Sequence, residues 1–289
     1  MAFFRRREKE AIPAPAPVEV LAERLAETER HPLKRIPVAD LPPEAQALGE
    51  RLNTRLDALA SAEKEQQQFI ADVSHELRTP LTVLRGTLEV ALEEERPPEE
   101  YREAIGNALL EIRHLARLSQ NLLFLARGQS GRVTLSFANL DLGKFLADST
   151  RDLVPAADDR SLTLHVELPG APVLVFADAD RLQQVLHNLL ENAMRYTPAG
   201  GEIRVRLSAR PGEACIEVSD TGVGIPAADL PFVFERFFRS DRARRAYSGG
   251  SGLGLSIVRW IVEAHKGTVE AQSALDRGTT FTVRLPLLT

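Results

Sequence analysis

The spacing of apolar residues changes character twice along the chain. Residues 8–20 hold the run A-I-P-A-P-A-P-V, whose alternating prolines favour an extended polyproline spacer and exclude a packed helix. A short amphipathic helix is predicted over 20–29, after which helical periodicity breaks and restarts. From Glu44 onward Leu48, Leu52, Leu56 and Leu59 recur with charged residues between them, a spacing that suits a coiled-coil seam running into residues 69–94. There Phe69, Val73, Leu77, Leu81, Leu84 and Leu88 share one stripe of a helix turning roughly 100° per residue. The run E-E-E-R-P-P-E-E makes a charged turn. A second helix follows from Glu99 or Glu100, with Ile105, Leu109, Ile112, Leu115, Leu118, Leu122 and Leu125 as apolar positions, and glycines release the chain between Gly128 and Gly131. Two antiparallel amphipathic helices cannot bury both stripes alone, so pairing with a second copy into a dimeric four-helix bundle is the physical expectation.

From Val133 the pattern turns to mixed strand and helix. Short β-type runs are predicted over 134–137, 162–166 and 173–176, then a helix over 178–196 and strands over 203–208 and 215–219. A glycine-bearing loop, a helix over 252–265 and strands over 268–271 and 279–285 complete the chain. Adjacent late strands imply an α+β class, with helices on one face of a mixed sheet: an antiparallel helical hairpin followed by an α/β sandwich. The division is a spacer with a short helix (1–30), a linker (31–64), the hairpin (65–131) and the α/β domain (132–289).

Composition narrows the functional classes. The 289 residues are 44% hydrophobic, ample for a core, and the net charge of −5 argues against broad nucleic-acid binding. One cysteine, Cys215, allows no internal disulfide and reads as a buried strand thiol suited to a reducing compartment. No window reaches the roughly 18 to 20 apolar residues a membrane span needs, and the apolar run in 1–7 is too short for a signal peptide. The cluster Phe3-Phe4-Arg5-Arg6-Arg7 gives no stable lipid anchor.

The chemistry-bearing stretches are few. His75 lies nearly opposite the apolar stripe of its helix and faces water, with Glu76 beside it, Thr79 one turn on, and Pro80, which cannot donate an amide hydrogen and is expected to kink the helix. On the later helix, H-N-L-L-E-N-A-M-R-Y-T-P sets Asn188 and Asn192 one turn apart, two amide oxygens able to help hold a hydrated Mg²⁺, with Arg195 and Tyr196 following. In V-S-D-T-G-V-G-I-P, Asp220 ends a strand where a carboxylate can accept from the exocyclic amine of adenine, and Gly222 and Gly224 let backbone approach a flat ligand. Finally an aromatic cluster leads through a basic stretch, 239–248, a candidate lid whose Arg242, Arg244 and Arg245 can meet a polyphosphate. It ends at Gly250, Gly252 and Gly254, where unpaired amides at a helix start favour phosphate.

The hexapeptide H-E-L-R-T-P resembles the phosphoacceptor box of sensor histidine kinases of two-component systems. The motifs after it, in their order, resemble the N, G1, F and G2 boxes of the histidine kinase catalytic domain, of the Bergerat ATP-binding class shared with gyrase, heat-shock protein 90 and mismatch-repair ATPases. The resemblance covers about residues 65–289. Residues 31–64 resemble the second half of a HAMP-type linker, a plain dimerising coiled coil being the other reading. The resemblance implies ATP and Mg²⁺ as cofactors, Asn188 and Asn192 at the metal and phosphate positions, Arg195 at the basic position and Tyr196 as a nucleotide-contacting aromatic. It further implies Asp220 as the adenine-reading carboxylate and Gly222, Gly224, Gly250, Gly252 and Gly254 as box glycines.

Bergerat relatives that hydrolyse ATP carry a water-activating Glu one helical turn before the metal-binding Asn. Here that position is Asn188, which cannot accept a proton, and Glu191, adjacent to Asn192, is expected to point elsewhere. Transfer to His75 is thereby favoured, with Glu76 orienting the imidazole and accepting its proton. The resemblance implies a second transfer to an Asp of a response-regulator receiver domain, and a reverse dephosphorylation in which Thr79 positions water. It also implies a homodimer in the cytoplasm, alone or as the cytosolic part of a membrane-bound sensor. The competing readings are a nucleotide-binding signalling scaffold without transfer and a plain Bergerat ATPase. His114 on the second hairpin helix reads as a solvated polar position.

Overall fold

The computed structural model of the chain describes residues 35–129, 133–246 and 250–288. The spacer and short helix expected over 1–30 lie outside these residues. The contacts divide the chain into a unit ending at His75 and a second from Glu76 onward. One helix, α1 (Pro43–Glu93), begins in the first and continues into the second.

In the first unit, residues 35–41 fold back along the start of α1. Asn53 bonds both backbone groups of Ile36, its Oδ1 accepting from the amide at 2.7 Å and its Nδ2 donating to the carbonyl at 2.9 Å. Ile36, Leu41 and Ala45 are buried against Leu52 and Leu56. Part of the expected coiled-coil seam is therefore covered within the chain, while Leu48 and Leu59 remain exposed. Pro80 does not interrupt α1, which runs on for thirteen residues to Glu93. A proline removes one ladder bond, and the flanking turns carry the helix past it.

The turn that ends α1 is closed by Tyr101, whose hydroxyl donates to the Glu94 carbonyl and accepts from the Arg96 amide, each at 3.3 Å. α2 (Pro98–Gln129) follows, with proline at its first position and Glu99 and Glu100 in its first turn, both suited to a helix N-terminus. Large apolar side chains stay exposed on the two helices, among them Leu81, Leu88 and Leu92 on α1 and Ile105, Leu109 and Ile112 on α2.

The α/β part holds β1 (Ala138–Asp141), α3 (Leu142–Arg151), α4 (Val154–Asp158), β2 (Thr163–Glu167), β3 (Leu174–Ala177), α5 (Ala179–Tyr196), β4 (Glu202–Arg210), β5 (Glu213–Asp220), α6 (Asp241–Ala246), α7 (Gly254–Ala264), β6 (Thr268–Ala274) and β7 (Gly278–Pro286). Five strands form a mixed sheet in the order β2-β4-β5-β7-β6, parallel only between β2 and β4. Alternate residues of the central strands, such as Val205, Val218 and Val283, are buried under Leu186, Leu189 and Leu190 of α5 and Ile257 and Ile261 of α7. On the opposite face Arg206 pairs with Glu167 at 2.7 Å and Arg284 with Glu270 at 2.9 Å. Cys215 is buried on β5. Burial pushes its thiol pKa up, as expected of a packing residue rather than a reactive one.

The first strand is displaced from the expected 134–137. T-L-S-F alternates like a strand, yet the Ser136 amide donates to Asp178 Oδ2 at 2.8 Å instead of joining a ladder, and β1 begins at Ala138, opposite Ala177. Helices α3 and α4 have no counterpart in the expected order. Asp141 caps α3 by accepting from the Gly143 amide at 3.0 Å, and α3 buries Leu142 and Leu146.

Candidate functional site

The start of α5 is fixed by Asp178, whose Oδ1 accepts from the Arg181 amide at 3.1 Å. Its backbone amide donates to Nε2 of the buried His265 at 3.0 Å, tying α5 to the end of α7. With Leu182, Val185, Leu186, Leu189 and Leu190 committed to the core, the polar edge near its C-terminus carries Asn188, Glu191, Asn192, Arg195 and Tyr196. All five line a cavity also bounded by Asp220, Gly224, Gly250, Gly252 and Gly254. Thus the structure brings together nine of the ten residues expected to hold a nucleotide.

The tenth, Gly222, is not on the cavity wall; its amide donates to Asp220 Oδ1 at 2.8 Å, and a Cβ there would strike the Tyr196 carbonyl. Gly224 has a φ of +64°, and a Cβ would collide with the Ala274 carbonyl. Both glycines are required where backbone lies against backbone, and Gly224 also lines the cavity.

Asp220 sits where β5 meets β7, paired in register with Thr279. Its Oδ1 accepts from the amides of Gly222 at 2.8 Å and Thr279 at 3.2 Å. Burial pushes its pKa up to about 6, and these two amide bonds, which favour the charged form, only partly offset that. Among the described residues its other oxygen receives no hydrogen bond, so it is available to a donor in the cavity.

Four arginines, Arg117, Arg195, Arg239 and Arg242, face the cavity against two carboxylates, Glu191 and Asp220. A surplus of positive charge beside the N-terminus of α7 suits a polyanion. Glu191 does not point elsewhere as its position predicted: its Oε1 lies 2.9 Å from Arg195 Nη2 and 3.4 Å from Arg117 Nη1. Among the described residues no three His, Cys, Asp or Glu side chains cluster to hold a metal. The amide oxygens of Asn188 and Asn192, supplemented by water and phosphate, fit a hydrated Mg²⁺.

The expected lid is partly the short helix α6, where Arg242, which lines the cavity, pairs with Asp276 at 2.8 Å. Residues 247–249 and the side chains of Arg244 and Arg245 lie outside the described residues. On α1, His75 and Thr79 are exposed and Glu76 is half-buried.

Sequence reasoning missed the α2 contribution: His114, Arg117, Leu118 and Asn121 all line the cavity. Their spacing, three, four and seven residues from His114, was the available signal, since it places them on one helical face. His114 is accordingly a half-buried wall residue rather than a solvated one.

Residues 65–131 match the family described as His Kinase A (phospho-acceptor) domain, and residues 177–289 the family described as Histidine kinase-, DNA gyrase B-, and HSP90-like ATPase. Over 94% of its length the chain is 39% identical to the probable sensor histidine kinase TcrY of Mycobacterium tuberculosis, covering 60% of that protein. The sensor protein CzcS of Cupriavidus metallidurans is 36% identical over 99% of the chain and 58% of its own length. The chain thus spans less than two thirds of the length of these relatives. Among solved structures, full-length ShkA in complex with AMPPNP aligns with a TM-score of 0.57 at 28% identity, over 77% of this chain and 46% of ShkA.

Proposed function

The chain belongs to the two-component sensor histidine kinases, and on that premise we propose that it transfers the γ-phosphoryl group of ATP to its own His75 and then to an aspartate of a response-regulator receiver domain. The observation that carries this reading is the cavity itself. A half-buried carboxylate with one oxygen open to a donor stands in the same cavity as an arginine-rich wall, which suits adenine and polyphosphate together. Asp220 reads the exocyclic amine, while Arg195, Arg239 and the amides preceding α7 meet the phosphates. Asn188 and Asn192 would hold Mg²⁺, which when bound would neutralise phosphate charge.

The exposed position of His75 on α1 suits an acceptor. A ring nitrogen bonds to the γ-phosphorus as the bond to the β,γ-bridging oxygen breaks and ADP leaves. Glu76 orients the ring and takes the proton lost from it. Incubation with γ-labelled ATP and Mg²⁺ tests the scheme. Acid-labile, alkali-stable label is expected on the chain and none on His75→Gln. Sustained phosphate release from both chains would mean an ATPase, and nucleotide binding with neither label nor release would mean a scaffold.

The same site is read as a phosphatase toward the phosphorylated receiver, with the Thr79 hydroxyl positioning the attacking water one turn from His75. Thr79→Ala is expected to slow regulator dephosphorylation on the order of tenfold while autophosphorylation persists, the loss of one hydrogen bond at the reacting water. An unchanged dephosphorylation rate would reject the role. The exposed apolar positions of α1 and α2 suit a second copy of the chain, making the working form a homodimer. No described helix is long and apolar enough to cross a membrane. We assign the chain to the cytoplasm, alone or as the cytosolic part of a membrane-bound sensor.

A further inference from the structure

One cation of the nucleotide cavity comes from outside the α/β domain. Arg117 stands on α2, the second helix of the hairpin, and its Nη1 lies 3.4 Å from Oε1 of Glu191, the same oxygen that Arg195 Nη2 approaches at 2.9 Å. One carboxylate compensates one guanidinium, so the pair leaves a positive charge at this end of the cavity. The glycine stretch before α7 lies directly over it, since a Cβ on Gly250 would strike Arg195 Nη1. Two arginines and the glycine-bearing stretch that leads into an eleven-residue helix therefore line the same end of one cavity.

Arg117 is held there by packing. Leu118 beside it is 1% exposed, and two turns on Phe124 meets Trp260 of α7 edge-on at 4.9 Å. Gly128 completes the seam, because a Cβ there would lie 2.7 Å from the Trp260 ring. The guanidinium is thus delivered by a seated helix, while its own contact with Glu191 is long and the side chain is 62% exposed. Such a pair is weak and exchanges readily for a doubly charged phosphate oxygen acceptor.

We propose that Arg117 is a nucleotide-binding residue: on ATP entry it leaves Glu191 for the phosphates, so that α2 closes the cavity and polyphosphate favours the seated hairpin helix. By linkage, what the phosphates contribute to seating α2 the seated helix returns as affinity for ATP. This rests on the ATP reading of the cavity.

Calorimetric titration of the full chain with Mg²⁺-ATP and with adenosine, for wild type, Arg117→Ala and Arg117→Lys, tests it. Arg117→Ala is expected to bind ATP on the order of tenfold more weakly with adenosine unchanged, the size one charge-assisted contact supplies. Arg117→Lys should recover part of the loss, and the salt dependence of ATP binding should flatten in the alanine variant. Equal ATP affinity in wild type and Arg117→Ala would overturn the inference and leave the ATP reading standing. So would an equal loss for adenosine, which would mark a packing role. A wild-type chain that binds no ATP would overturn both.

Discussion

Asp220 concentrates the site's electrostatics in a single carboxyl group. Its pKa is raised to about 6 because burial outweighs two amide hydrogen bonds. A native pKa above the unfolded value of about 3.9 means that the folded chain binds the proton more tightly. Stability from this group is therefore fully present below about pH 4 and is lost as pH rises through 6. At neutral pH the ionised carboxylate costs about 3 kcal/mol, a strain of the kind binding sites retain. Asp220→Asn relieves that cost. Its Oδ1 would keep the amides of Gly222 and Thr279, so its NH₂ would confront the adenine amine, donor against donor. The variant is expected to melt higher than wild type at pH 8, to show no such gain at pH 4.5, and to bind ATP on the order of a hundredfold more weakly. Thermal unfolding at both pH values and calorimetry check this. An equal gain at both pH values would remove the titration argument.

At the scale of elements, legibility followed length and periodicity. α5 and α7 repeat apolar residues over several turns against β4, β5 and β7, and their spans are readable to within a residue or two. The stretch between β1 and β3 was not legible. Leu142, Phe145 and Leu146 have helical spacing after a capping Asp141, but α3 is only ten residues and Pro155 soon follows. The upstream T-L-S-F alternation mimicked a strand whose hydrogen bond goes to a side chain, Asp178, so no ladder forms. Asp220, Asn188 and Asn192 were legible because their chemistry is local to a motif. Arg117 was not, because a polar residue on a helix looks solvated until a tertiary neighbour, here Glu191, is known. Gly222 was readable as a special backbone position, yet what approaches it is the Tyr196 carbonyl of the same chain. Pro80 shows the same limit: the missing donor is visible in sequence, but whether the helix survives it depends on the turns around it.

For the whole molecule, the exposed apolar positions on the hairpin decide the assembly. On α1, Leu81, Leu88 and Leu92 fall on one stripe, and on α2 Ile105, Leu109, Ile112 and Leu123 fall on another. Leu92 is 84% and Ile105 62% exposed within one chain, close to the turn in both helices. Such stripes on a two-helix hairpin favour association into a bundle over solvation. The intact chain is expected to run in light scattering at twice its 31.9 kDa. Leu88→Glu with Ile105→Glu should halve that mass by placing like charges in the seam. The described cavity wall is built from one chain, so ATP affinity in the monomeric variant should equal that of wild type. Label on His75 then discriminates further: its loss with ATP binding intact means the acceptor is served by the partner subunit, and its retention means transfer within one chain. A wild-type chain that scatters as a monomer at micromolar concentration would reject the bundle.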